Sequence, residues 1–359
     1  MYPALAVADW LTVNSPQPPT LCWVGSSGGV EESLTARAGI PFEGISAAGL
    51  RGKNPREVLG GLRALGQGFG QARRLISTFQ PDVLFVTGGY VCAPVTLAAR
   101  LAGVPVLIYL PDIEPGLAIK SLARFADRVA VTATPATKHF RAGQAVVTGY
   151  PVRRELFQRD QAGARARLGL SVEDDGLPVL LAFGGSQGAH SINQAVSDGI
   201  EELLNVAQVI HISGQRDAEW TRARQASLPE SLRGGYHLYA YLHEKMADAL
   251  LGADLVVSRA GASTLGEFPA AGLAAVLVPY PYAGAHQWAN ARYLAEAGAA
   301  ITIADADLGT DLIPNLRDLL TDHDRRATME RAARALARPD AAQSIAALLV
   351  NLGSHQGKE

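Results

Sequence analysis

Short apolar runs, four to six residues long and rich in Val, Ile and Leu, alternate with longer amphipathic stretches along most of the chain. Runs unbroken by polar positions predict strands buried on both faces, and apolar residues spaced three and four apart predict helices. The strand candidates are 20–24, 83–87, 104–109, 128–132 and 145–148, followed by 178–183, 208–212, 235–239, 254–258, 274–278 and 300–303. Amphipathic segments at 57–78, 116–126, 187–203, 289–297 and 324–352 predict helices. This alternation predicts an α/β fold of parallel sheets covered by helices, with right-handed crossovers that gather the loops after the strands on one edge of each sheet.

The two series of strands meet near 149–160, where Tyr150, Pro151, Val152 and Arg153 make a stiff link. A first domain is expected over 1–152 and a second over 153–336, with the helical segment 337–352 either staying with the second or crossing back to the first. Residues 2–11 read as a helix with Pro3 in its first turn. A doubly wound domain ordinarily opens with a central strand and a glycine-rich turn, so the expectation is that this strand and turn are lacking.

A length of 359 residues with 48% hydrophobic and 18% charged positions supports two cores. A formal net charge of −2 argues against a general nucleic-acid binder. Cys22 and Cys92 sit in or beside apolar segments without metal-ligand spacing, which fits buried thiols in a reducing cytoplasm. No apolar run reaches membrane-spanning length and no signal-peptide pattern opens the chain, so a peripheral membrane contact is the kind expected. The eight histidines show no metal-binding spacing, and neither a metal nor a cofactor is expected.

Three strand-to-helix junctions in the second half carry candidate chemistry. Gly184, Gly185, Ser186, Gln187, Gly188 and Ala189 follow an apolar run and open a helical pattern. Glycine lets a phosphate approach the backbone, and a helix start offers free N–H groups and the positive end of its dipole. Arg259, Gly261, Ser263 and Thr264 make a second helix start, with Glu267 in the first turns. A carboxylate there suits two neighbouring hydroxyls of a ribose, and equally suits the helix dipole alone. His286, Gln287 and Asn290 form the third, with donors and acceptors for sugar hydroxyls or for a capping turn. In the first half, Gly88, Gly89 and Tyr90 end a strand, and Asp112 follows the next as a proton acceptor or a turn residue. The basic segment from Gly49 through Arg51, Lys53 and Arg56 fits an anionic lipid surface, a diphosphate or plain solvent.

Taken in order, these segments resemble the MurG family of peptidoglycan N-acetylglucosaminyltransferases over nearly the whole chain. The likeness rests on the motifs at 2–8, 49–53, 81–90, 149–153, 184–189 and 259–267, and on His286, Gln287 and Asn290. It implies a GT-B fold of two Rossmann-like, doubly wound domains facing a cleft. It also implies inverting transfer of GlcNAc from UDP-GlcNAc to lipid I, forming lipid II on the inner face of the cell membrane. Ser186 and the surrounding glycines would then hold the diphosphate, Arg153 and the backbone near Leu242 the uracil, Glu267 the ribose, and Gln287 with His286 the sugar. An anionic membrane surface and other cell-wall enzymes are the implied partners. Two departures bear on catalysis. The family's opening Gly-rich loop, with the His proposed as general base, is not found, and Asp112 stands where the family has Asn. The base therefore stays unassigned, with Asp112 as a candidate. Two other readings remain open: a UDP-sugar transferase with another lipid acceptor, and a UDP-sugar binder without turnover. A dinucleotide-dependent oxidoreductase fits less well, because no strand-linked GxGxxG is present.

Overall fold

A computed structural model of the chain describes residues 1–28, 30–47, 55–158, 160–170, 176–185, 188–242, 245–282 and 286–354, and of residues 30, 55–60 and 62 the backbone only. The basic segment 49–54, together with Ser186 and Gln187, lies outside the described residues. The chain divides into two compact units, Met1–Val152 with Asp340–Glu359, and Arg153–Pro339.

The first unit holds two parallel sheets. Strands β1 (Trp23–Ser26) and β2 (Phe42–Ile45) pair with each other, Trp23 opposite Phe42. Strands β3 (Leu84–Val86), β4 (Val106–Leu110), β5 (Arg128–Val131) and β6 (Ala145–Val147) lie side by side in chain order. Both sheets feed one core in which Ile45 joins Val86, Ile108 and Val129, roofed by Ala72 and Ile76 of the helix Pro55–Phe79. Every residue of β4 is buried, as a strand covered by helices on both faces requires. The last helix, Ala341–Ser354, packs against the helix Tyr2–Asn14 and against β4.

The second unit is one six-stranded parallel sheet of β7 (Val179–Phe183), β8 (Gln208–Ile212), β9 (Tyr236–Tyr239), β10 (Leu255–Ser258), β11 (Ala274–Leu277) and β12 (Ala300–Thr302). Its order is β12-β11-β10-β7-β8-β9. Leu180, Val209, Leu255 and Val276 face Ile192, Val196, Leu312 and Leu316 from the covering helices.

Each apolar run read from the sequence overlaps an observed strand, the first only at Trp23 and Val24, and the α/β class with parallel sheets is correct. Strand β2 escaped notice because Glu43 and Gly44, both exposed, break its apolar run. The helical stretch 324–352 is two helices, His323–Ala335 and Ala341–Ser354, with Pro339 between them. Proline cannot donate to the preceding turn, and it disfavours helical geometry in the residue before it. The stretch 187–203 likewise divides into His190–Asp198 and Ile200–Leu204 at Gly199. A Cβ at Gly199 would meet Ile313 at 2.4 Å, so glycine admits the neighbouring helix there. Among the described residues no helix is long and apolar enough to cross a membrane.

Candidate functional site

In the second unit the chain runs outward from β7 through β8 and β9, then returns and runs the other way through β10, β11 and β12. The loops after β7 and β10 therefore diverge from a crevice at the carboxyl edge, the place where open α/β sheets take ligands. All three junctions singled out in the sequence lie on this edge.

The turn after β7 needs its glycines. A Cβ on Gly184 would stand 2.1 Å from the backbone nitrogen of Ala189. Gly188 has φ of 77°, and its added Cβ would meet the carbonyl oxygen of Ser213 at 2.6 Å. The turn delivers the chain into the helix His190–Asp198, whose start has no side-chain cap. Its first N–H groups are thus available to an anion.

Beside it, the turn after β10 passes Arg259 and Gly261 into the helix Thr264–Ala271. The Thr264 hydroxyl donates to the carbonyl of Gly261 at 2.7 Å, which tightens the turn. Glu267 is half-buried. Burial raises its carboxyl above the ordinary glutamate range, while the Ser263 hydroxyl and the charge of Arg153 pull it back. Arg153 itself is exposed and lies 3.6 Å from Glu155. Leu242 is buried next to the end of β9.

After β11, Gln287 accepts from the backbone N–H of Tyr280 at 2.9 Å. Asn290 is fully buried and donates to the carbonyl of Ala260 at 3.1 Å, so the third junction holds the second. His286 is half-buried at the start of that helix.

Residues that no motif marked complete the edge. Ser191 and Asp305 surround the guanidinium of Arg259, which also stacks 5.4 Å over the ring of Tyr280. Beneath the first turn, Asn193 donates to the Ser213 carbonyl and to Asp217, and its oxygen meets Nε2 of the buried His211 at 3.0 Å. These partners lie between 18 and 68 residues apart along the chain, beyond the reach of any local pattern.

The Glycosyltransferase family 28 N-terminal domain matches residues 1–131 and the family 28 C-terminal domain matches residues 179–345. A UDP-N-acetylglucosamine--N-acetylmuramyl-(pentapeptide) pyrophosphoryl-undecaprenol N-acetylglucosamine transferase of Roseiflexus sp. (strain RS-1) is 42% identical over 98% of this chain and 92% of its own length. One of the same name from Desulforudis audaxviator (strain MP104C) is 40% identical over 98% of this chain and 95% of its own. The crystal structure of Acinetobacter baumannii MurG matches with a TM-score of 0.75 at 29% identity, covering 98% of this chain and 95% of that one. The chain belongs to the MurG branch of glycosyltransferase family 28.

The expected lack of an N-terminal strand and glycine-rich turn is not borne out by these matches, which run over almost the full length of both partners. The fold of this family 28 member is GT-B-like, with two parallel-sheet α/β units. In the first unit, Gly88 and Gly89 leave β3 with φ of 111° and 98° and present Tyr90, which is exposed. The Cys92 thiol donates to the Gly88 carbonyl at 2.7 Å. Burial pushes that thiol up to about 11, which disfavours the thiolate form. Asp112 is half-buried beyond the end of β4.

Proposed function

We propose that the chain transfers N-acetylglucosamine from UDP-N-acetylglucosamine to lipid I, forming lipid II with inversion at the anomeric carbon. The observation that carries this reading is the pair of turns flanking the switch point of the second sheet, one closed by Gly184 and Gly188, the other followed by the half-buried Glu267. The first offers N–H groups to a diphosphate, and the second offers a carboxylate to a ribose. Gly185, Ser186 and Gln187 share the diphosphate role, and Gly261 and Thr264 shape the second turn. Arg153 and the backbone near Leu242 flank the uracil. His286 and Gln287 read the sugar, and Asn290 acts through the Ala260 carbonyl it holds. Gly89 and Tyr90 serve the acceptor.

In the reaction the acceptor hydroxyl oxygen bonds to the anomeric carbon as that carbon's bond to the β-phosphate oxygen breaks. UDP departs with the bonding pair, and helix-start N–H groups meet its new charge. The hydroxyl proton passes to a base, for which Asp112 is the candidate. Among the described residues no cluster of three or more His, Cys, Asp or Glu is arranged to hold a metal.

The acceptor's lipid requires the enzyme to work at a membrane surface. Leu97 and Leu101 are exposed on the helix Cys92–Leu101, and the adjoining helix Leu117–Leu122 exposes Leu117 with Lys120. Apolar and basic side chains so mixed suit peripheral docking on an anionic inner leaflet.

The test supplies labelled UDP-GlcNAc with lipid I or diacylglycerol in anionic vesicles. Product on lipid I alone is expected. Product on diacylglycerol, or UDP-GlcNAc binding without transfer to either, overturns the assignment.

A further inference from the structure

The helix start that receives the diphosphate is tethered by side chains gathered on the same edge of the sheet. Arg259, the first residue beyond β10, donates through Nη1 to Oδ1 of Asp305 and through Nη2 to the Ser191 hydroxyl at 2.8 Å. The same Ser191 hydroxyl donates to Oδ1 of Asp305 at 2.8 Å, closing a three-membered ring of hydrogen bonds. Nη1 also reaches the carbonyl of Val278 at 3.4 Å, and the guanidinium lies over Tyr280. Only 12% of the Arg259 side chain and 20% of Asp305 is exposed. One guanidinium thus ties together the chain after β7, β10, β11 and β12.

An arginine beside a pyrophosphate site is ordinarily read as a phosphate ligand. Here the charge is already neutralised by a carboxylate, and donors from both Nη nitrogens are already engaged. A planar fork held by two partners fixes position far better than it reaches for a ligand. Ser191 is the second residue of the helix His190–Asp198, so its tether sets where the first-turn N–H groups point. Resting on the donor-site reading above, we infer that Asp305 and Ser191, acting through Arg259, are positioning residues for the donor diphosphate, and that Arg259 itself is a brace. The uridine end stands on other supports, namely Glu267, Arg153 and the Asn290 bond to Ala260, so the brace acts on the phosphates selectively.

The experiment compares UDP and uridine binding to the wild-type chain and to Ser191→Ala and Asp305→Asn, by calorimetry for UDP and ligand-observed NMR for uridine. Ser191→Ala removes the tether and leaves the buried Arg259–Asp305 pair whole, which keeps the fold intact. Both variants are expected to weaken UDP about tenfold, leave uridine unchanged, and raise KM for UDP-GlcNAc more than they lower kcat. The double variant should lose no more UDP affinity than Asp305→Asn alone, because the two act as one unit. Unchanged UDP binding in both single variants, or equal losses for UDP and uridine, overturns the inference. Failure of the wild-type chain to bind UDP at all would instead remove the donor-site reading beneath it.

Discussion

At the scale of single residues, Glu267 carries a conflict between stability and binding. Its carboxyl must be ionised to accept from two ribose hydroxyls, yet burial favours the protonated form. A carboxyl whose folded pKa is raised contributes stability below its unfolded pKa and loses that contribution as pH rises through the folded one. At neutral pH the ionised group therefore costs the fold something. Glu267→Gln should raise Tm by on the order of 2 °C. The same change should weaken UDP about tenfold, since one acceptor becomes a donor facing a hydroxyl. Wild-type affinity should also fall on acidification at a higher pH than an exposed glutamate would dictate. Thermal melts and UDP titrations of the two proteins check all three. A lower Tm in the glutamine variant would show that Glu267 is held by its partners rather than strained by burial.

At the scale of elements, what was legible depended on how local the signal was. Buried parallel strands announce themselves as short apolar runs, and Gly184 and Gly188 stand out because the backbone packed against them leaves no room for a Cβ. Strand β2 was hidden by two exposed residues, and the breaks at Gly199 and Pro339 lay inside continuous helical periodicity. The polar brace under the helix His190–Asp198 was beyond reach, because Asn193, His211 and Tyr236 meet only after β8 and β9 have formed. Its chemistry can now be specified. Both described donor contacts of Asn193 go to Ser213 and Asp217, so its oxygen accepts from His211 Nε2–H, and the Tyr236 hydroxyl donates to Nδ1. Burial holds this neutral imidazole down at about 4, against an ordinary value of 6.5. Between those two values the unfolded chain binds a proton that the folded chain refuses, so stability declines as pH falls through that window. Urea unfolding across the window should show this slope, and His211→Phe should flatten it while lowering stability at neutral pH, where Asn193 and Tyr236 lose their partner. A slope unchanged by the substitution would assign the acid sensitivity to other groups.

At the scale of the whole molecule, the strap-like last helix decides which half of the protein feels damage at the C-terminal end. Ala341–Ser354 follows the second unit in the chain but buries Ile345, Ala346 and Leu349 within the first, against the helix Tyr2–Asn14 and β4. Its register leaves little slack, since a Cβ at Gly353 would sit 3.3 Å from that of Asp82. Two units with separate cores are expected to unfold as separate transitions, so a single two-state Tm would not describe this chain. Ile345 is fully buried. Replacing it with Asp places an unpaired carboxylate in an apolar seat, a substitution at the severe end of the usual range. Ile345→Asp should lower one melting transition by on the order of 10 °C and leave the other in place. UDP should still bind with wild-type affinity, because every proposed donor residue lies in Arg153–Pro339. Transfer to lipid I should fall as the first unit loosens. Calorimetric melts with and without UDP separate the outcomes, since the ligand stabilises only the transition of the unit that binds it. Loss of UDP affinity in step with transfer would mean that the last helix supports the donor half as well, and that the two units do not stand alone.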